Sequence, residues 1–222
     1  MITAFDRVLI DVPDIDRARE DYRALLGAPE DGDTVDLSNV RVSLAQAPGA
    51  AKSRISTLGL LDTGLARATS ELLSANGSGY ELQRSHFREA AYRDITTDTG
   101  IFAVDHVVLQ TRDADACIAL YRDRLGLRLA LDQTVPEFGG RMLFFRMGKM
   151  TLEVLQHLEK PPEQDSLWGI TYQCRDIDAT IEQLDRRGVQ HSPIRQGRKP
   201  GTRVSTVKSH CLGLPTLLIG PD

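Results

Sequence analysis

The chain has 222 residues, a formal net charge of −4 and 41 % hydrophobic residues. That is enough apolar chain to bury a sizeable core, and it excludes the fibrous and disordered classes. No basic run exceeds two residues (Arg186-Arg187, Arg198-Lys199), so the footprint of a nucleic-acid or anionic-membrane partner is missing.

The first predicted element is a strand from Ala4, followed by a helix that Asp14 opens and Gly27 closes, and by a closing strand over residues 40–45. The next unit reads as a strand over 54–61, a helix from Asp62 to about Ala75, a strand over 79–84 and an ill-defined stretch to Gly100. Ala103 then begins the opening pattern again without a gap. AVDHVVLQTRDADACIALYRDRLG repeats AFDRVLIDVPDIDRAREDYRALLG, with Asp6 on Asp105, Asp14 on Asp113, Asp16 on Asp115, Tyr22 on Tyr121 and Gly27 on Gly126. An ungapped repeat of apolar strand, Asp-led helix and Gly stop predicts an internally symmetric fold. It also directs attention to the positions where the copies differ, above all Arg7 against His106.

The third unit continues with a helix over 113–125 and strands over 127–132, 141–147 and 150–156, with Gly148-Lys149 as the tight turn between the last two. The fourth has a strand over 168–174, a helix opened by Asp176 and closed at Gly188, and strand candidates over 189–195, 202–209 and 215–219. Strand, helix, then three strands is a βαβββ module. The predicted class is α+β: four βαβββ modules in paired cup-shaped mixed sheets, with the helices on the outer face. Residues 1–100 form an abbreviated N-terminal pair of modules and residues 101–222 a C-terminal pair. Junctions are expected at 48–51, 96–100 and 160–165.

The absence of some eighteen consecutive apolar residues and of a leader-like start predicts a cytoplasmic chain. Cys117, Cys174 and Cys211 are an odd number without metal-site spacing and read as buried free thiols. His86 and His157 fall at strand ends, where capping or exposure is the ordinary role. No nucleophile elbow or Cys/His pairing supports covalent catalysis.

The strand motif DHVVL, the Asp-x-Asp helix start, the helix end YRDRLGL and the closing strand LEVL resemble the vicinal oxygen chelate superfamily, the group of glyoxalase I, bleomycin-resistance proteins and extradiol dioxygenases. The resemblance is strongest over residues 103–156. It implies that a metal and a small-molecule substrate sit inside the cup, with His or Gln from a module's first strand and Glu from its last. His106 and Glu153 match those two points, and strand alternation places Val104, His106 and Val108 on one face and Thr151, Glu153 and Leu155 on one face. Such a pair suits one divalent ion (Zn²⁺, Ni²⁺, Mn²⁺ or Fe²⁺).

The fourth module departs from the family pattern, with Gly169 where a second His is expected and Leu217 where a second Glu is expected. In the first half the equivalents are Arg7, Ser43 and roughly Ile55, and Arg7 is a candidate partner for a substrate anion. A metal site would need completion by Gln173, by His210 or His191, or by a second chain in a homodimer. The competing arrangement is His106 hydrogen-bonded to Glu153 in a metal-free ligand pocket.

The remaining candidate substrate contacts are Val108, Phe144, Arg146, Thr171 and Gln173, with the loops 136–140 and 196–201 at the cup mouth. The implied function is metal-assisted isomerase or lyase chemistry on a small oxygen-rich substrate, with Glu153 moving the proton. A metal-free binding or drug-sequestering protein is the alternative. An extradiol dioxygenase fits less well, because Gly169 and Leu217 cannot ligate.

Overall fold

The computed structural model describes residues 1–27, 32–66, 70–74, 79–86, 95, 97–135 and 140–222. The first module runs through β1 (Ile2–Val12), α1 (Ile15–Leu26), β2 (Thr34–Asp36) and β3 (Arg41–Gln46), and the second through β4 (Arg54–Asp62), β5 (Ser70–Ser74) and β6 (Glu81–Ser85). The third has β7 (Ile101–Thr111), α2 (Ala114–Cys117) running on as a π-helical segment (Ile118–Arg124), β8 (Arg128–Val135), β9 (Gly140–Met147) and β10 (Met150–His157). The fourth has β11 (Ser166–Cys174), α3 (Ile177–Arg186), β12 (Arg195–Gln196), β13 (Thr202–Val207) and β14 (Thr216–Pro221).

The helix starts follow from one device used three times. Asp14, Asp113 and Asp176 are N-caps whose carboxylates accept from the backbone N–H of Arg17, Ala116 and Ala179, satisfying a donor that has no partner inside the helix. Gly27 ends α1 in the left-handed region (φ 65°). In the second copy Gly126 takes the same left-handed conformation (φ 75°), but the turn before it widens, and Leu125 N–H reaches back to Leu120 O at 3.0 Å. The repeated pattern therefore yields an α-helix in one half and a partly π-helical one in the other.

In the third module the first strand pairs with the last: β7 lies parallel to β10, which continues antiparallel to β9 and then β8. The other edge of β7 pairs antiparallel with β11, which runs parallel to β14. The first half has the same plan, with β1 parallel to β3 and antiparallel to β4. One bridge, Leu167 to Ile55, joins the two sheets.

The symmetry extends to irregularities. On β1 the register skips Thr3 and Asp6 against β4, and on β7 it skips Phe102 and Asp105 against β11. Each skipped residue is a β-bulge, which re-aims the side chains beside it. Arg7 and His106 consequently hold equivalent places, as the repeat predicts.

The helix-side faces of the sheets and the helices form the core, which includes Val8, Ile10, Leu25, Leu26, Leu58, Leu60, Val107, Leu109, Phe145 and Leu218. The halves interlock through it: Tyr22 of α1 meets Tyr172 of β11 with the hydroxyls 3.3 Å apart, and the Tyr121 hydroxyl hydrogen-bonds that of Tyr80. Asn39 crosses from the first half to β7, donating to Val104 O at 2.7 Å and accepting from Val104 N–H at 3.0 Å.

Four expectations change. The helix expected from Asp62 to about Ala75 is not formed: Ser70–Ser74 is a strand paired antiparallel with β6, so strand pairing overrides the local helical pattern. The strand expected over 189–195 shrinks to β12 and an isolated bridge between His191 and Val207. An extra short strand, β2, precedes the closing strand of the first unit. Finally, Val104 does not share the face of His106, because the bulge at Asp105 turns it into the core opposite Tyr172, both fully buried.

Candidate functional site

Register places the candidate residues of the C-terminal half in two rows across the inner face of its sheet. One row runs Leu217, Thr171, His106, Thr151, Arg146 over β14, β11, β7, β10 and β9. The next runs Gly169, Val108, Glu153, Phe144 over β11, β7, β10 and β9. The expected contacts Val108, Phe144, Arg146, Thr171 and Glu153 thus share one face with His106, and Gln173 stands one step beyond Thr171 opposite Ile219.

His106 is held on both sides. Its Nδ1 lies 2.8 Å from Asp105 Oδ2, and its Nε2 lies 2.8 Å from the Thr171 hydroxyl. A carboxylate can only accept, so Nδ1 carries the proton, and in the neutral ring Nε2 accepts from Thr171. Gln173 donates its amide to the other oxygen of Asp105. Burial opposes ionisation of Asp105, but the hydrogen bonds from His106 and Gln173, with the charges of His106 and Lys199, outweigh it and keep its carboxyl below the usual aspartate range. Lys199 belongs to the expected mouth loop 196–201, so that loop reaches the electrostatic surroundings of the cluster. Residues 136–139 of the other expected loop lie outside the described residues.

Glu153 is the contrasting member. Its Oε1 lies 3.6 Å from His106 Nδ1, an ion-pair distance rather than a hydrogen bond. Burial raises its carboxyl above the usual glutamate range; His106 opposes that rise and Asp105 adds to it. A side chain 20 % exposed, facing the cup and bound to no donor is an acid with open lone pairs.

Asp105 is the residue that simple alternation misses, since a regular strand sends neighbours 105 and 106 to opposite faces. The available signal was the Asp6/Asp105 match in the repeat, which marks the bulge.

A divalent ion fits this set poorly. Both ring nitrogens of His106 and both oxygens of Asp105 are engaged, leaving Glu153 as the one uncommitted donor. Among the described residues no three His, Cys, Asp or Glu side chains are arranged to hold a metal. The fourth module explains its own lost ligand: a Cβ at Gly169 would come 2.8 Å from Pro215 O, which accepts from Ile170 N–H at 3.0 Å. No side chain, histidine included, fits there without moving backbone. Leu217 faces the cup beside Thr171.

The other proposed ligands are elsewhere: His191 bonds Asp185 at 2.9 Å, and His210 sits in a left-handed turn 2.8 Å from the Ser209 hydroxyl. A shallow open depression of about 550 Å³ beside His191, lined by Asp185, Gly188, Val189, Gln190 and Lys208, shares no residue with the cup rows. The cysteines are buried and free, and burial pushes the Cys117 and Cys174 thiols up to about 12, so they are unreactive near neutrality. Arg7 stands in the first half's sheet, separated from His106 by β4 and β11. Ser43 occupies the position of Glu153, while Thr57, rather than Ile55, is the counterpart of Gly169.

Repeated strand–helix–strand modules around an inner face that carries a histidine and an acid define an α+β protein. Residues 105–206 match the family model described as the glyoxalase, bleomycin resistance protein and dioxygenase superfamily, in line with the resemblance to the vicinal oxygen chelate superfamily carried by the sequence. Among solved structures, a 4-hydroxymandelate synthase variant from Streptomyces coelicolor is similar over 100% of this chain and 93% of its own, with a TM-score of 0.72 at 14% identity. That likeness concerns the fold alone. Methylmalonyl-CoA epimerase from Mycobacterium tuberculosis aligns with 58% of this chain and 93% of its own, at 18% identity and a TM-score of 0.48. No curated protein matches the chain. No described helix is long and apolar enough to cross a membrane.

Proposed function

We propose that the C-terminal cup binds a small oxygen-rich molecule and that Glu153 moves a proton on it, as in an isomerase or lyase reaction. The observation that supports this is the condition of Glu153: partly buried, raised above the ordinary glutamate range, and pointing into the cup with no hydrogen bond of its own. A raised carboxyl is a better match to proton transfer near neutrality than an ordinary one.

In the proposed step the C–H bond next to a substrate carbonyl breaks, its proton goes to Glu153, and the electron pair is delocalised onto the carbonyl oxygen as an enolate. Returning the proton at a different position or face isomerises the substrate; expelling a β-leaving group instead eliminates it. Asp105, Thr171 and Gln173 act as positioning residues that fix the His106 ring beside the acid. Phe144 and Val108 flank Glu153 in its row, and Arg146 at the outer end of the His106 row is placed to meet a substrate anion. Among the described residues the available donors do not compose a ligand set for a metal.

The test is deuterium incorporation from D₂O into a panel of small 2-hydroxy ketones, 2-oxo acids and acyl thioesters, followed by NMR. Exchange catalysed by the wild type and lost in Glu153→Gln supports the proposal; a panel that binds without exchange sinks it. That second outcome would favour the sequestering protein, for which the fully satisfied Asp105–His106–Thr171 chain is the supporting observation.

A further inference from the structure

We propose that the N-terminal cup is a second ligand site, for the carboxylate of a small, partly apolar organic acid, with Arg7 as its anion-binding group. The proposal does not depend on chemistry at Glu153. Arg7 takes on β1 the place His106 takes on β7, between Gly59 of β4 and Arg41 of β3. Gly59 makes room for it, since a Cβ there would lie 2.8 Å from Arg7 Cβ.

The two cations of this row differ in their commitments. Arg41 is neutralised by a two-point fork to Asp36, at 2.6 and 3.0 Å. Arg7 forms no hydrogen bond or ion pair with the described residues, and its Nε is buried without an acceptor. The adjacent acid, Asp6, accepts instead from the Ser85 hydroxyl at 3.1 Å. An unsatisfied buried donor on a charged group is unfavourable in the empty cup, and an incoming anion relieves it.

The neighbouring row supplies further recognition. Ser43 and Thr57 flank Leu9 from either side, and Thr34 Oγ1 lies 3.2 Å from Ser43 Oγ. One uncommitted guanidinium presents two parallel N–H groups, the geometry of a planar two-oxygen anion of single charge. Phosphate, carrying nearly two charges, would call for a second cation, and Arg41 is already neutralised. Leu9 gives the ligand's body an apolar contact.

The full chain is titrated at constant ionic strength with acetate, butyrate, benzoate and inorganic phosphate, following the Arg7 Nε–H resonance and the backbone amides of β1, β3 and β4. Saturable shifts with butyrate or benzoate, stronger than with phosphate, are expected, with affinity about tenfold lower in Arg7→Met and unchanged in Glu153→Gln. If Arg7→Met does not fold, Arg7→Lys, which keeps the charge and loses the fork, is read for the same loss. No saturable shift, equal affinity without the guanidinium, tighter binding of phosphate, or a response abolished by Glu153→Gln would each overturn the proposal.

Discussion

Replacing Asn39 by Ala tests how the two halves fix the bulge that presents the site. The Asn39 amide mimics a strand partner for Val104, meeting both its C=O (2.7 Å) and its N–H (3.0 Å) at the end of β7 that lies beyond Met150, the first residue of β10. Asn39 is buried and Val104 is fully so, so the alanine variant leaves two backbone groups without partners and without easy access to water. At about 1–3 kcal/mol for each stranded group, partly offset by relaxation, the loss is roughly 3 kcal/mol. For a chain of this length that corresponds to a melting temperature lower by about 6–12 °C. Differential scanning calorimetry measures it, with Asn39→Asp as a control that keeps the volume but sets an acceptor against Val104 O. A melting point within about 1 °C of wild type would refute the view that this cross-half contact holds β7 in place.

Three other outcomes follow from the same geometry. A raised folded-state carboxyl is a group that prefers to be protonated in the native state, so its contribution to stability is full below the unfolded glutamate value of 4.5 and is lost as pH rises through the folded value. Denaturant melts should therefore show Glu153→Gln gaining on wild type between acid and neutral pH, and parallel pH profiles would remove the claim of a raised acid. Gly169→Ala should lower stability by about 1–3 kcal/mol by driving Cβ into Pro215 O, and a crystal structure of Gly169→His should show displaced backbone rather than a restored ligand; an undisturbed β11 would contradict this. Thr171→Val should lose about 1 kcal/mol in chemical denaturation and change the His106 tautomer ratio seen by ¹⁵N NMR, since Nε2 loses its partner. An unchanged ratio would mean that Asp105 alone sets the ring.

The repeat made the architecture legible because its punctuation is physical: Asp14, Asp113 and Asp176 each cap a helix as predicted, and Gly27 ends α1 in the left-handed region that glycine favours. His106 and Glu153 were legible for a related reason, each occupying a first or last strand of a module. Three features were not. The segment from Asp62 carries residues that suit a helix, and only its pairing with β6, a long-range contact, makes Ser70–Ser74 a strand. Asp105 joins the cup through a bulge, which two-residue alternation has no means to express. The reason for Gly169 lies in the carbonyl of Pro215, far along the chain, and the engagement of both His106 nitrogens depends on Thr171 in another module. A sequence motif can nominate a metal ligand, but the neighbours decide whether its lone pairs are free.

The most direct test of the central claim is the pH dependence of carbon-acid deuterium exchange, measured on any panel compound that responds. The expected result is an exchange rate that rises with pH through a single ionisation above the ordinary glutamate range and vanishes in Glu153→Gln. Exchange that persists at the wild-type rate in Glu153→Gln would contradict a proton-moving role for this acid.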